Sequence, residues 1–140
     1  MSAENVGKRC RWTTYPNARI GQHEGEIVAH VPALTSIVRK GNGIVSNVGI
    51  ENVGIDDAGA PDAAPVTVRL TFVEPLTGAV TGAQPLFALA SGQVVQLNDA
   101  AKQNAILFVD EVSGTAQIRG YVVMKDTTTN DGSFVFMQTQ

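Results

Sequence analysis

The sequence predicts an all-β protein: an antiparallel β-sandwich or jelly-roll-like domain over residues 27–140, entered through an extended N-terminal arm over residues 1–26. Three observations predict it. The apolar residues lean to Val, Ile and Ala with few Leu or Met, a balance that favours strands over long helices. Gly and Pro, 14 and 6 in number, help to place turn signals about every ten residues, the spacing of seven to nine short strands in a sandwich. In Val66-Thr67-Val68-Arg69-Leu70-Thr71-Phe72 apolar and polar residues alternate strictly, as in a sheet with one buried side.

Residues 1–26 have no clear period and scatter Pro16, Asn17, Gly21 and Gly25 among charges, so they read as an irregular lead-in. Trp12 and Tyr15 are bulky enough to seat such an arm in a pocket of its own domain or of a neighbour. From Ile27 the pattern tightens into two β-type runs, Ile27-Val28-Ala29-His30-Val31 and Leu34-Thr35-Ser36-Ile37-Val38, with Pro32 marking an edge or a break between them. The one repeat, Asn47-Val48-Gly49-Ile50 and Asn52-Val53-Gly54-Ile55, has too few copies to bury a solenoid core, so it reads as a glycine-kinked strand or β-ribbon.

Residues 56–65 combine acids, small residues and two prolines and read as an exposed loop. The strand over residues 66–72 has a firmly fixed register, because a slip of one residue would bury Arg69 and expose Leu70 and Phe72. The Thr, Gly and Ala-rich stretch 76–85 is expected to link the two sheets or to cross a barrel end. Leu86-Phe87-Ala88-Leu89 and Val94-Val95-Gln96-Leu97 flank Ala90-Ser91-Gly92-Gln93, a connection of hairpin length. Asn98 or Asp99 is placed to cap a single helical turn through Ala100-Ala101-Lys102-Gln103. Residues 105–112 and 115–124 read as long strands joined at Ser113-Gly114. The turn 126–132 then brings Ser133-Phe134-Val135-Phe136-Met137 back antiparallel to residues 116–124.

A chain of 140 residues is enough for one compact domain, and at this size a core holds without metal or disulfides. Charged residues make up 16% against 44% hydrophobic, which argues against a disordered tail. Residues 1–40 carry six basic residues against three acidic, and the remaining hundred carry four against ten, for a net charge of −3. A basic front ahead of an acidic body suggests an arm that meets an acidic partner surface. Cys10 stands alone, so the chain holds no intrachain disulfide. The first residues have no apolar signal region and no window has the run of a membrane span, so the expectation is synthesis and folding in a reducing cytoplasm, with no membrane partner.

Catalytic chemistry finds little support. Of the two histidines, His30 lies within an apolar run, where a hydrogen-bonded structural imidazole is expected, and His23 sits beside Glu24 with no specified partner. Cys10, between Arg9 and Arg11, would have a lowered pKa if exposed, but no Cys/His spacing accompanies it. Asp56, Asp57 and Asp62 do not have the spacing of a Ca²⁺ loop, and Gly41-Asn42-Gly43 lacks the rest of a phosphate loop. Lys8-Arg9-Cys10-Arg11-Trp12 alternates charge with a ring, as single-strand binders do, but the acidic body and a pI near 5.2 disfavour nucleic acid. No cofactor is called for and the chain is read as not an enzyme.

The basic arm over residues 1–25, the Ala/Gly/Thr/Val-rich β body and the C-terminal hairpin over residues 118–138 resemble small structural proteins of tailed-phage virions, in particular head decoration or cement proteins. That resemblance implies a non-enzymatic, stabilising role on a virion assembled from proteins made in the host cytoplasm. The partners it implies are the major capsid protein or another virion protein, and copies of the chain itself in a trimer or dimer. The residues assigned to partner binding are Lys8, Arg9, Arg11, Trp12, Tyr15 and Arg19, with arginine forks pairing to carboxylates and the rings filling crevices. The alternative is a carbohydrate-binding or adhesin-type β-sandwich module. Such a module presents exposed aromatics; with Phe72, Phe108, Phe134 and Phe136 expected in the core, Trp12, Tyr15 and Tyr121 are left as platforms.

Overall fold

The computed structural model describes residues 32–139, which hold nine strands and no helix. They are β1 (Leu34–Val38), β2 (Ile44–Asp56), β3 (Val66–Val73), β4 (Leu86–Leu89), β5 (Val94–Leu97), β6 (Ala105–Ser113), β7 (Ala116–Asp126), β8 (Gly132–Phe136) and β9 (Gln138–Thr139). They form two antiparallel sheets, one in the order β4-β3-β6-β1-β9 and one in the order β5-β2-β7-β8. The predicted sandwich is therefore present. The arm over residues 1–26 and the run Ile27–Val31 lie outside the described residues.

Period-2 patterning builds the core between the sheets. On β3 the side chains of Val66, Val68 and Leu70 are fully buried and Phe72 nearly so, as the alternation predicts. Thr71, on the opposite face, is also buried and accepts a 3.0 Å hydrogen bond from Gln84. Leu107 and Val109 of β6 and Val48, Ile50 and Val122 of β2 and β7 complete the centre. The two central pairs, β3 with β6 and β2 with β7, join residues far apart in sequence. Most consecutive strands consequently lie in different sheets; only β3–β4 and β7–β8 are neighbours within one.

The repeat lies on a single long strand, β2, with a kink where the glycine-kinked reading expects it. The pairing with β7 shifts register between Asn52 and Asp56, and Gly54 has φ +81°, a conformation that disfavours any side chain. The copies are five residues apart, an odd number, so on a strand of period two they present opposite faces, and the kink does not reverse this: Ile50 is fully buried while Ile55 is exposed.

Three expectations are corrected. The stretch 76–85 does not link the sheets: Val80 bridges Val73, Thr81 N donates to Phe72 O and Leu70 N to Pro85 O, so the chain returns alongside β3 into β4 in the same sheet. Conversely, Ala90-Ser91-Gly92-Gln93 does not close a hairpin. The amide of Asn52 donates to Gln93 O and that of Gly92 to Asn52 O, which carries the chain onto β2 and into the other sheet as β5. No helical turn forms at residues 100–103. Asp99 takes φ +51°, its N–H donates to Asn47 Oδ1 and that of Ala100 to Ser46 O, so β2 takes the amides that would have opened a helix.

Candidate functional site

The outer face of the four-stranded sheet follows from register. Gln96 of β5 lies opposite Gly49 of β2, Gly49 opposite Tyr121 of β7, and Tyr121 opposite Phe136 of β8, a rung that crosses all four strands. The next rung holds Val94, Glu51 and Arg119, and on the other side Asn47, Val123 and Phe134 line up. Their alternate neighbours Val48, Ile50 and Val122 are fully buried, so this face looks outward.

Its centre is aromatic. Phe134 and Phe136 are 56% and 68% exposed, which corrects the expectation that both belong to the core. Tyr121 stacks on Phe134 with centroids 5.2 Å apart and 16° between planes, and Phe134 meets Phe136 edge-on at 5.0 Å, the two favoured arrangements of aromatic pairs. Phe108, also expected in the core, is half-buried and has the parity opposite to Leu107 and Val109. Phe72 is in the core as expected.

Tyr121 is held from two sides. A Cβ at residue 49 would stand 2.2 Å from its Cζ, so the ring occupies space that only glycine leaves open, and its hydroxyl donates to Gln96 Oε1 at 2.6 Å. Beside it Arg119 Nε donates to Glu51 Oε1 at 2.6 Å. Glu51, Val94, Arg119, Gly120, Tyr121 and Phe136 enclose an open groove of about 230 Å³. That is below the roughly 300–1,000 Å³ of pockets that engulf a drug-sized ligand.

The acidic loop has a structural occupation. Asp56 Oδ1 accepts the amides of Ala58 and Ala60. Asp62 accepts the amide of Ala64 and, at 2.6 Å, the hydroxyl of Thr115; the Thr115 bond first and the Ala64 bond second hold its carboxyl below the ordinary value. Glu111 goes the other way: burial first, then the charges of Asp57 and Asp62, raise its carboxyl, and its Oε2 is buried with no hydrogen-bond partner among the described residues. Among the described residues no group of three or more His, Cys, Asp or Glu is placed to hold a metal ion. Gly41-Asn42-Gly43 is a turn, closed by reciprocal bonds between Gly41 and Ile44.

Lys8, Arg9, Arg11, Trp12, Tyr15 and Arg19, the predicted partner-binding residues, lie outside the described residues, as do Cys10, His23 and His30. Tyr121 is the one sequence-named platform within them, and it stands with Phe134 and Phe136. The sequence held half of the signal for these two. Arg119 shares Tyr121's parity on β7, which marks that face as outward, but the phenylalanines follow it only through the β7–β8 register, Tyr121 opposite Phe136 and Val123 opposite Phe134. No family model, curated protein or solved structure matches the chain.

Proposed function

We propose that the protein is a non-enzymatic structural protein of a virion exterior, a capsid decoration or cement protein that pairs with a second copy of itself through β8 while residues 1–26 grip the capsid. The observation that carries the self-association is that β8 ends its sheet with no strand beyond it among the described residues. Among the described residues β4, β5 and β9, the other strands at sheet ends, have four, four and two residues, whereas β8 has five. Short edges, lysine, proline and inward-pointing charge are the usual protections against edge pairing. β8, Gly-Ser-Phe-Val-Phe, has no charge and no proline, and Val135, facing the sandwich side of the strand, is 41% exposed. An edge that meets its own copy antiparallel forms a closed two-fold pair. The polarised charge of the arm supports the capsid contact, since basic residues find carboxylates on a partner surface.

Light scattering on the full chain tests the pairing. The expected mass is twice the 14.7 kDa of the chain, falling to the single value in Val135→Lys and in Ser133→Lys, each of which adds the charge that natural edges use. A wild-type monomer at every concentration refutes it. Removal of residues 1–15 is expected to leave the body folded and to abolish co-sedimentation with the capsid; undiminished loading refutes the arm contact.

A further inference from the structure

We propose that the groove on the outer face of the β5-β2-β7-β8 sheet binds a neutral saccharide, one pyranose ring seated against Tyr121 and Phe136 with its hydroxyls reaching Glu51 and Arg119. A pyranose has a face of C–H groups and an equatorial rim of hydroxyls. A site for it needs an aromatic surface next to paired donors and acceptors, and the groove puts both within one lining: Tyr121 and Phe136 on one side, Glu51 and Arg119 on the other. The electron-rich ring face attracts the weakly positive C–H groups, and the guanidinium and carboxylate supply donors and acceptors in fixed planes.

The charge balance selects the ligand class. Arg119 Nε and Glu51 Oε1 already satisfy one another at 2.6 Å, so the pair presents no net charge, and β8 contributes none. An anionic ligand would meet the Glu51 carboxylate and a cationic one the guanidinium, whereas neutral hydroxyls can donate to one and accept from the other. Nothing else among the described residues is recorded on Arg119's terminal nitrogens or on Glu51 Oε2, and Arg119 is 64% exposed at its side chain. The rings are set before any ligand arrives: Gly49 leaves the space beneath Tyr121, Gln96 holds its hydroxyl, and Phe134 supports both Tyr121 and Phe136. Such preorganisation lowers the entropic cost of binding. An open groove of about 230 Å³ suits one ring of a longer chain lying across the sheet.

The site extends beyond the assembly reading and uses different groups, ring faces in place of the β8 backbone, so the two are separable by experiment. Two-dimensional NMR of the full chain is recorded with cellohexaose, maltohexaose, mannopentaose and the N-acetylglucosamine hexamer, each to about 10 mM, a range that detects the weak, roughly millimolar affinities of a single-ring site. The expected result is saturable shifts for at least one of them, confined to residues 49–51, 94–96, 119–121 and 134–136. Affinity is expected to fall at least ~10-fold in Phe136→Ala and in Arg119→Gln, to fall likewise in Phe136→Leu, and to survive in Phe136→Trp, because stacking needs a ring. Val135→Lys keeps the saccharide response while losing self-association. No shift with any of the four sugars overturns the proposal. So does a response that Phe136→Ala and Arg119→Gln leave intact, or a patch whose signals move only on dilution, which would make it a contact between copies.

Discussion

Asn52 offers the sharpest test of how this fold is held together. It is fully buried in the kink of β2. Its side-chain Nδ2 donates to Leu89 O at 3.1 Å and to Ala64 O at 3.3 Å, and its Oδ1 accepts from Gly54 N at 2.9 Å. One amide thus ties β2 to the end of β4 in the opposite sheet, to the acidic loop and to its own kink. In Asn52→Ala the buried Leu89 carbonyl loses its partner at about 1–3 kcal/mol, and the two part-buried bonds go at about 0.5–1.5 kcal/mol each. The sum centres on about 4 kcal/mol, a large part of the ~5–15 kcal/mol that holds a domain folded. With a urea slope of roughly 1–3 kcal/mol/M the midpoint falls by about 2 M. Asn47, the equivalent residue in the other copy of the repeat, makes one exposed bond from Asp99 N to its Oδ1 at 2.9 Å, so Asn47→Ala is expected to cost under ~1 kcal/mol. Urea unfolding followed by circular dichroism reads both. Equal midpoints for the two variants, or an Asn52→Ala midpoint indistinguishable from wild type, would refute the reasoning. Asn52→Asp adds a pH signature. A carboxylate facing two carbonyls has a raised folded pKa, so this variant is closest to wild type at acid pH and loses stability as pH rises through that value.

Gly114→Ala is expected to cost about 3 kcal/mol by urea unfolding, since the residue sits at φ +106° and a Cβ would stand 2.9 Å from Pro65 O and from Val66 Cα, both backbone atoms. Gly49→Ala is milder: the three atoms nearest its Cβ all belong to the Tyr121 side chain, which can swing away. The loss is that of the Tyr121–Gln96 bond and the Phe134 stack, about 1–2 kcal/mol, with the Tyr121 and Phe134 ring signals shifted in the NMR spectrum; unchanged ring signals would contradict the reading that Gly49 leaves the space the Tyr121 ring fills. Glu111, held above the ordinary 4.5 by burial and by Asp57 and Asp62, binds its proton more tightly folded than unfolded. Its favourable contribution is complete below 4.5 and is lost as pH rises through the raised value. Glu111→Gln should therefore gain on wild type between acid and neutral pH in thermal melts, and a constant difference across that range would argue against the raised carboxyl.

Much of this architecture was legible in local pattern. The alternation over residues 66–72 specified β3 and its buried face, Gly54 specified the kink in β2, and the turn 126–132 specified the β7–β8 hairpin, because each is set by neighbours a few residues apart. Local pattern also misled where two outcomes were locally equal. Ala90-Ser91-Gly92-Gln93 is short enough for a hairpin, yet Asn52, some forty residues earlier, captures its far end through Gly92 and Gln93 and sends the chain to the other sheet. Asn98 and Asp99 are good helix caps, but β2 takes the amides of Asp99 and Ala100.

The sequence by itself determined that the described residues are all-β, which face of β3 is buried and where the charges lie, because composition and a two-residue period act on each strand separately. Only the tertiary structure decided which strands share a sheet and that Phe134 and Phe136 stand outside with Tyr121. Along β8 the local pattern favours the other outcome, since Phe134 and Phe136 share one parity and Ser133 and Val135 the other. The choice is made by hydrogen-bond register against β7, where Arg119 cannot be turned inward without losing its solvation and its Glu51 partner.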